Sequence, residues 1–106
     1  MTGRRVVITG LGIVSPVGNS VEQAWQNILA GRSGIDRITR FDTSTFPVQI
    51  AGEVRDFDIT QYIPARDARR MDTFIHYGMA AGIQAIKDAG LEAHPANADR
   101  IGVSIG

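Results

Sequence analysis

The sequence holds no cysteine. That absence excludes disulfides, thiolate metal sites and a cysteine nucleophile within these residues, and it fits a reducing compartment. Charge of one sign is also missing. Eleven Lys and Arg residues balance eleven Asp and Glu, for a formal net charge of +0. No global field draws the chain to nucleic acid or to a membrane surface, so electrostatic recognition has to come from a local cluster. No apolar run approaches the length of a membrane span. Arg4 and Arg5 precede an apolar stretch, but Thr9, Gly10 and Gly12 interrupt it and Pro16 follows, which suits a first β-strand better than a signal peptide. Together these absences predict a cytoplasmic protein with neither a nucleic-acid nor a membrane partner.

What is present describes a globular chain. Of 106 residues, 43% are hydrophobic and 21% charged, the balance of a folded domain rather than a disordered one. The length allows one domain. There is no internal repeat and no low-complexity tract. Val6 to Val14 is almost continuously apolar, which predicts a strand covered on both faces, ending in the Ser15-Pro16-Val17-Gly18 turn. Asn19 or Ser20 can cap the helix that follows, with Glu22 in its first turn. Val21, Ala24, Trp25, Ile28 and Leu29 fall at helical spacing, and Gly31 ends the helix. Arg32 to Pro47 reads as irregular. Val48 to Val54 reads as a short strand with Gly52 at a bulge or close approach, and Asp56 to Ile63 has room for one helical turn.

A strong helix is expected from Met71 to Ala89. Its apolar face, with Ala80, Ala81, Ala85 and Ala89 on much of the remaining surface, predicts burial on several sides. Gly78 and Gly82, one turn apart, would admit another backbone. Lys87 suits the last turn and Gly90 the position after it. Ile101 to Gly106 begins a second apolar strand. Strand, helix and buried strand in that order predict an α/β fold. An α/β sheet is not expected to finish on an uncovered glycine-rich strand, so the sequence reads as the opening portion of a longer protein.

Few residues here suggest chemistry. Gly10-Leu11-Gly12-Ile13-Val14-Ser15 has two of the three glycines of a dinucleotide fingerprint, but Pro16 and Gly18 leave no helix N-terminus to receive a pyrophosphate, and the Walker pattern is absent. His76 and His94 match no metal spacing and pair with no nucleophile, so both read as packed or solvent-facing. Asp36, Asp42, Asp56 and Asp58 are placed as turn formers. Arg66, Arg69 and Arg70 differ. At i, i+3 and i+4 their guanidinium groups would project from one side of a helix. They form either a solvated face partly neutralised by Asp67 and Asp72, or a site for an acidic partner that guanidinium groups can grip in forked pairs.

The stretches RRVVITGLGIVSPVGNSVEQAW, LAGRSGI, FDTS, RRMDTFIHYGMAAGIQA and RIGVSIG, in that order, resemble the N-terminal part of the elongating, type II β-ketoacyl-acyl-carrier-protein synthases. These are condensing enzymes of the thiolase superfamily. The resemblance implies a thiolase-like layered α/β fold of two similar halves in a homodimer, with residues 1–106 an incomplete N-terminal part of the first half. It implies decarboxylative condensation of malonyl-loaded carrier protein with an acyl-enzyme thioester, with no metal or organic cofactor. The family's nucleophilic cysteine and two assisting histidines have no counterpart among these residues, so no catalytic residue is expected here. The family's basic helix that binds acidic acyl carrier protein maps onto Arg66, Arg69 and Arg70. The segment is thus expected to supply scaffold and docking and to be inactive and poorly folded by itself. A noncatalytic chain-length factor and a stand-alone carrier-protein-binding module are the alternatives.

Overall fold

Helix α1 spans Val21–Leu29 in the computed structural model, which describes residues 3–106. Ser20 is its N-cap, accepting from the Gln23 N–H at 3.2 Å, and thereby decides between the two capping candidates. Its C-terminus closes as the sequence indicates. Gly31 takes a left-handed φ of 71°, the Arg32 N–H donates to Asn27 O, and the Gly31 N–H donates to Ile28 O. This paired closure satisfies carbonyls that the end of a helix leaves unpartnered.

Two short strands follow. β1 (Ile35–Arg37) pairs antiparallel with β2 (Ile50–Gly52), with Asp36 opposite Ala51. β1 corrects the reading of Arg32 to Pro47 as irregular throughout. Its alternation is too short to register, and it is a strand because β2 supplies its ladder. Gly52 makes the expected close approach, here against the Pro16 ring. A 3₁₀ turn at Ile59–Gln61, capped by Asp58, occupies the stretch where one helical turn is expected. The single-turn α2 (Ala65–Ala68) leads into α3 (Thr73–Ala89), which begins at the Asp72 cap and ends at Gly90 in the same left-handed closure as α1. A last 3₁₀ turn lies at Ala98–Arg100.

Two expected strands are not formed. Residues 6–14 and 101–106 run outside any ladder, with Val6 90% and Val103 81% exposed. Their apolar content suits burial in a sheet, but a strand exists only where a neighbour supplies hydrogen bonds, and the described residues supply none. Residues 10–13 instead lie along α3. The Leu11 N–H donates to Asp88 Oδ2 at 3.0 Å and the Ile13 N–H to Gln84 Oε1 at 3.1 Å. Gly10 and Gly12 permit this, because a Cβ at either would overlap the Ala85 or Ala81 carbonyl oxygen.

The expected close approach at Gly78 and Gly82 is therefore found elsewhere. Nothing among the described residues comes within 4 Å of a Cβ built at either. Nor is α3 covered on several sides, since Phe74, Met79 and Ile86 are all exposed and Ala80 is its one buried residue. The buried apolar side chains among the described residues are three alanines: Ala24, Ala68 and Ala80. The radius of gyration is 17.6 Å and the extents are 56 × 41 × 22 Å. A compact domain of this length would have a radius of gyration of about 13 Å. The segment is a thin layer with broad apolar faces.

Candidate functional site

The stretch Pro64 to Met71 carries the three arginines. α2 holds only Arg66. Arg69 caps its C-terminus in right-handed helical geometry, and Arg70 lies beyond, its N–H donating to Asp67 O at 3.1 Å. The three stand on one continuous turn rather than on a regular helix, because Asp72 starts α3 and a new axis two residues later. All three side chains are exposed.

The expected neutralisation by Asp67 and Asp72 does not occur by ion pairing. Among the described residues, the ion pair within 4.0 Å is Arg40 with Glu53, at 3.9 Å. Asp72 spends its carboxylate on capping, accepting from the Thr73 N–H at 2.7 Å. Three uncommitted guanidinium groups within five residues make a local positive patch on a chain of zero net charge.

The base beneath this turn is fixed by aromatic and polar packing. Phe57 stacks on Tyr62 at 6.3 Å between ring centroids and meets Tyr77 edge-on at 5.3 Å, joining the turn before α2 to α3. Gln84 is the central polar tie. Its Nε2 donates to Asn19 O at 2.7 Å and to the Tyr62 hydroxyl at 2.9 Å, while its Oε1 accepts from Ile13. One α3 side chain thereby holds the chain leading into α1 and the turn leading into α2.

A second cluster braces the β1–β2 side. Glu53 is only 8% exposed and accepts from the Thr39 N–H and hydroxyl and from the Arg40 N–H. Burial pushes its carboxyl up, but these donors and the Arg40 charge outweigh that and hold it below the ordinary range. Arg40 in turn donates to the Tyr77 hydroxyl at 2.9 Å, which favours its charged form further.

The His76 ring has a hydrogen-bond partner, whereas His94 is exposed and is held through its backbone. His76 Nε2 lies 2.8 Å from Ala68 O, which can only accept, so the ring donates there. The His94 N–H donates to Asn97 Oδ1 at 2.8 Å within a turn. Asp42 and Asp58 also behave as turn formers, accepting from Ser44 and Thr60 respectively. The Gly10–Ser15 run is committed to packing on α3 and to the Ser15–Gly18 turn, where Ser15 N–H donates to Gly18 O at 3.0 Å. An open polar cavity of about 530 Å³ is lined by Ser15, Asn19, Arg55, Asp56 and Tyr62 among others, and not by Arg66, Arg69 or Arg70. No helix among the described residues is long and apolar enough to cross a membrane.

Comparison with known proteins identifies the family. Residues 3–106 match the family described as Beta-ketoacyl synthase, N-terminal domain. The whole chain is 58% identical to 3-oxoacyl-[acyl-carrier-protein] synthase 2 of Vibrio cholerae and 54% identical to that of Coxiella burnetii, spanning 26% of each. Over 97% of its length it is 50% identical to the Staphylococcus aureus protein of the same name, covering 25% of it. The chain thus spans about a quarter of the length of these curated relatives. Among solved structures, the ishigamide ketosynthase/chain length factor superposes with a TM-score of 0.72 at 42% identity, over 84% of this chain and 22% of that one. The thiolase-like α/β fold class read from the sequence is the class of that neighbour, although the central strands are not formed by these residues. With its Gly-rich opening packed on α3 and its full described length matched, the chain belongs to the β-ketoacyl synthase family, in its N-terminal domain.

Proposed function

We propose that residues 1–106 are the opening part of the first thiolase-like half of a 3-oxoacyl-acyl-carrier-protein synthase of fatty-acid biosynthesis, supplying scaffold and a carrier-protein docking face. In the complete enzyme, a cytoplasmic homodimer, a cysteine thiolate takes the acyl group from its carrier, releasing the carrier thiol. Malonyl-loaded carrier protein then loses carbon dioxide, and the resulting carbanion attacks the acyl-enzyme thioester, forming the new carbon–carbon bond and freeing the thiolate. Developing negative charge on the thioester oxygen calls for an oxyanion hole. None of these groups lies in this segment, whose part is to bring the acidic carrier protein to the pocket mouth.

The observation that carries the docking reading is the exposed turn with Arg66, Arg69 and Arg70 free of ion pairs. Such a patch steers an acidic partner and sets its orientation more than it supplies raw affinity. The 50–58% identity to curated synthases supports the reaction assigned. Likeness to a ketosynthase/chain length factor keeps a noncatalytic partner as the second reading, which a cysteine in a small-residue turn within the remainder of the full protein would refute. A core of three alanines among the described residues argues against a stand-alone binding module. The test is Arg69→Glu in the complete synthase. Turnover with carrier-bound substrates should fall while small thioesters are hardly affected. Equal loss with both overturns the docking role.

A further inference from the structure

We propose that His76 is a positioning residue for carrier-protein recognition, holding the arginine turn in its docking orientation through the hydrogen bond from Nε2 to Ala68 O. The inference rests on the docking role of Arg66, Arg69 and Arg70.

α2 is a single turn of four residues, too short to hold its shape by its own hydrogen bonds. Its N-cap is Pro64, which makes no side-chain capping bond. From Pro64 to Met71 every backbone bond is internal to the turn. Among the described residues, the one side-chain hydrogen bond from this turn to the rest of the chain is that of His76 to Ala68 O, at 2.8 Å. Ala68, 6% exposed, is the turn's one buried residue. The turn also packs beside the Ile59–Gln61 turn, and His76 supplies its one polar side-chain tie to α3.

The bond closes a loop over residues 68–76. Arg69 and Arg70 lie inside that loop, and Arg66 lies two residues before it. Asp72 fixes the start of α3, and His76 stands in its first turn, so the bond sets the angle at which the two helices meet. Ala68 O also accepts from the Met71 N–H at 3.1 Å, which completes the corner. Losing the His76 donor would leave the arginines present and charged, but free to swing with the corner. Long-range attraction for an acidic partner would persist, while the oriented complex would be less populated.

Glutamine provides the control, because its amide nitrogen falls close to where the imidazole Nε2 lies and can donate to the same carbonyl. In the complete synthase, His76→Ala should raise KM for acyl-loaded and malonyl-loaded carrier protein roughly three- to tenfold, the effect of one neutral hydrogen bond. It should leave kcat and turnover of small thioesters unchanged, and His76→Gln should restore KM. Arg69→Glu is run in parallel. If it has no selective effect on carrier-bound substrates, the docking role itself fails. If Arg69→Glu is selective and His76→Ala matches wild type, positioning by His76 is refuted while docking stands. Equal impairment of both substrate classes by His76→Ala, or no recovery in His76→Gln, also overturns the proposal by reducing His76 to general stability.

Discussion

Gln84 offers the clearest measure of how this layer is held. Its side chain makes three hydrogen bonds to three separate segments: Ile13 N–H at 3.1 Å, Asn19 O at 2.7 Å and the Tyr62 hydroxyl at 2.9 Å. Gln84→Met keeps the unbranched length and removes every polar atom. Each bond contributes about 1 kcal/mol net. The groups are part-buried, so water replaces some of what is lost, and the combined local cost is about 2–3 kcal/mol. Amide hydrogen exchange reads this directly. In the complete protein the Ile13 amide should exchange roughly 30- to 150-fold faster in Gln84→Met, at a factor of ten per about 1.4 kcal/mol. Gln84→Glu should be intermediate, since a carboxylate still accepts from Ile13 and can accept from a reversed Tyr62 hydroxyl, but cannot donate to Asn19 O. Unchanged exchange at Ile13 in Gln84→Met would refute the claim that this side chain ties the opening segment to α3.

Two further outcomes follow from the same contacts. Glu53 is held below its ordinary pKa in the fold, so its stabilisation is fully present above the unfolded value of about 4.3 and is lost as pH falls through the lower folded value. Acid denaturation of wild type should steepen below about pH 4 relative to Glu53→Gln, and superimposable acid profiles would contradict the assignment. The 106-residue chain by itself, with three alanines as the buried apolar side chains of its described residues, should show no cooperative thermal transition by circular dichroism; a sharp sigmoidal melt would contradict this.

How much could be read from the sequence followed the range of the interactions involved. Ser20, Gly31, Asp58 and Gly90 act on neighbours within a few residues, and the local ends they make appear where local chemistry places them. Strands did not follow that rule. Residues 6–14 carry every local sign of a strand and form none, because pairing depends on a partner these residues do not contain. Ile35–Arg37, with two charged residues out of three, is a strand because Ile50–Gly52 returns beside it. Small residues were equally ambiguous. Gly78 and Gly82 permit close approach as well as Gly10 and Gly12 do, yet it is Gly10 and Gly12 that meet a backbone.

At the candidate site, the exposure and clustering of Arg66, Arg69 and Arg70 were legible from charge spacing. Their support by His76 was not. A donor eight residues from its carbonyl follows no helical period, and only the corner between α2 and α3 brings the two together.

The proposed role of the Arg66–Arg70 turn is to receive the carrier protein. It is tested most directly by the ratio of kcat/KM for carrier-bound substrate to kcat/KM for a small thioester, measured in the complete synthase for wild type, Arg66→Glu, Arg69→Glu and Arg70→Glu. The ratio should fall in all three variants while the small-thioester value stays constant. A ratio equal to that of wild type in all three would contradict it.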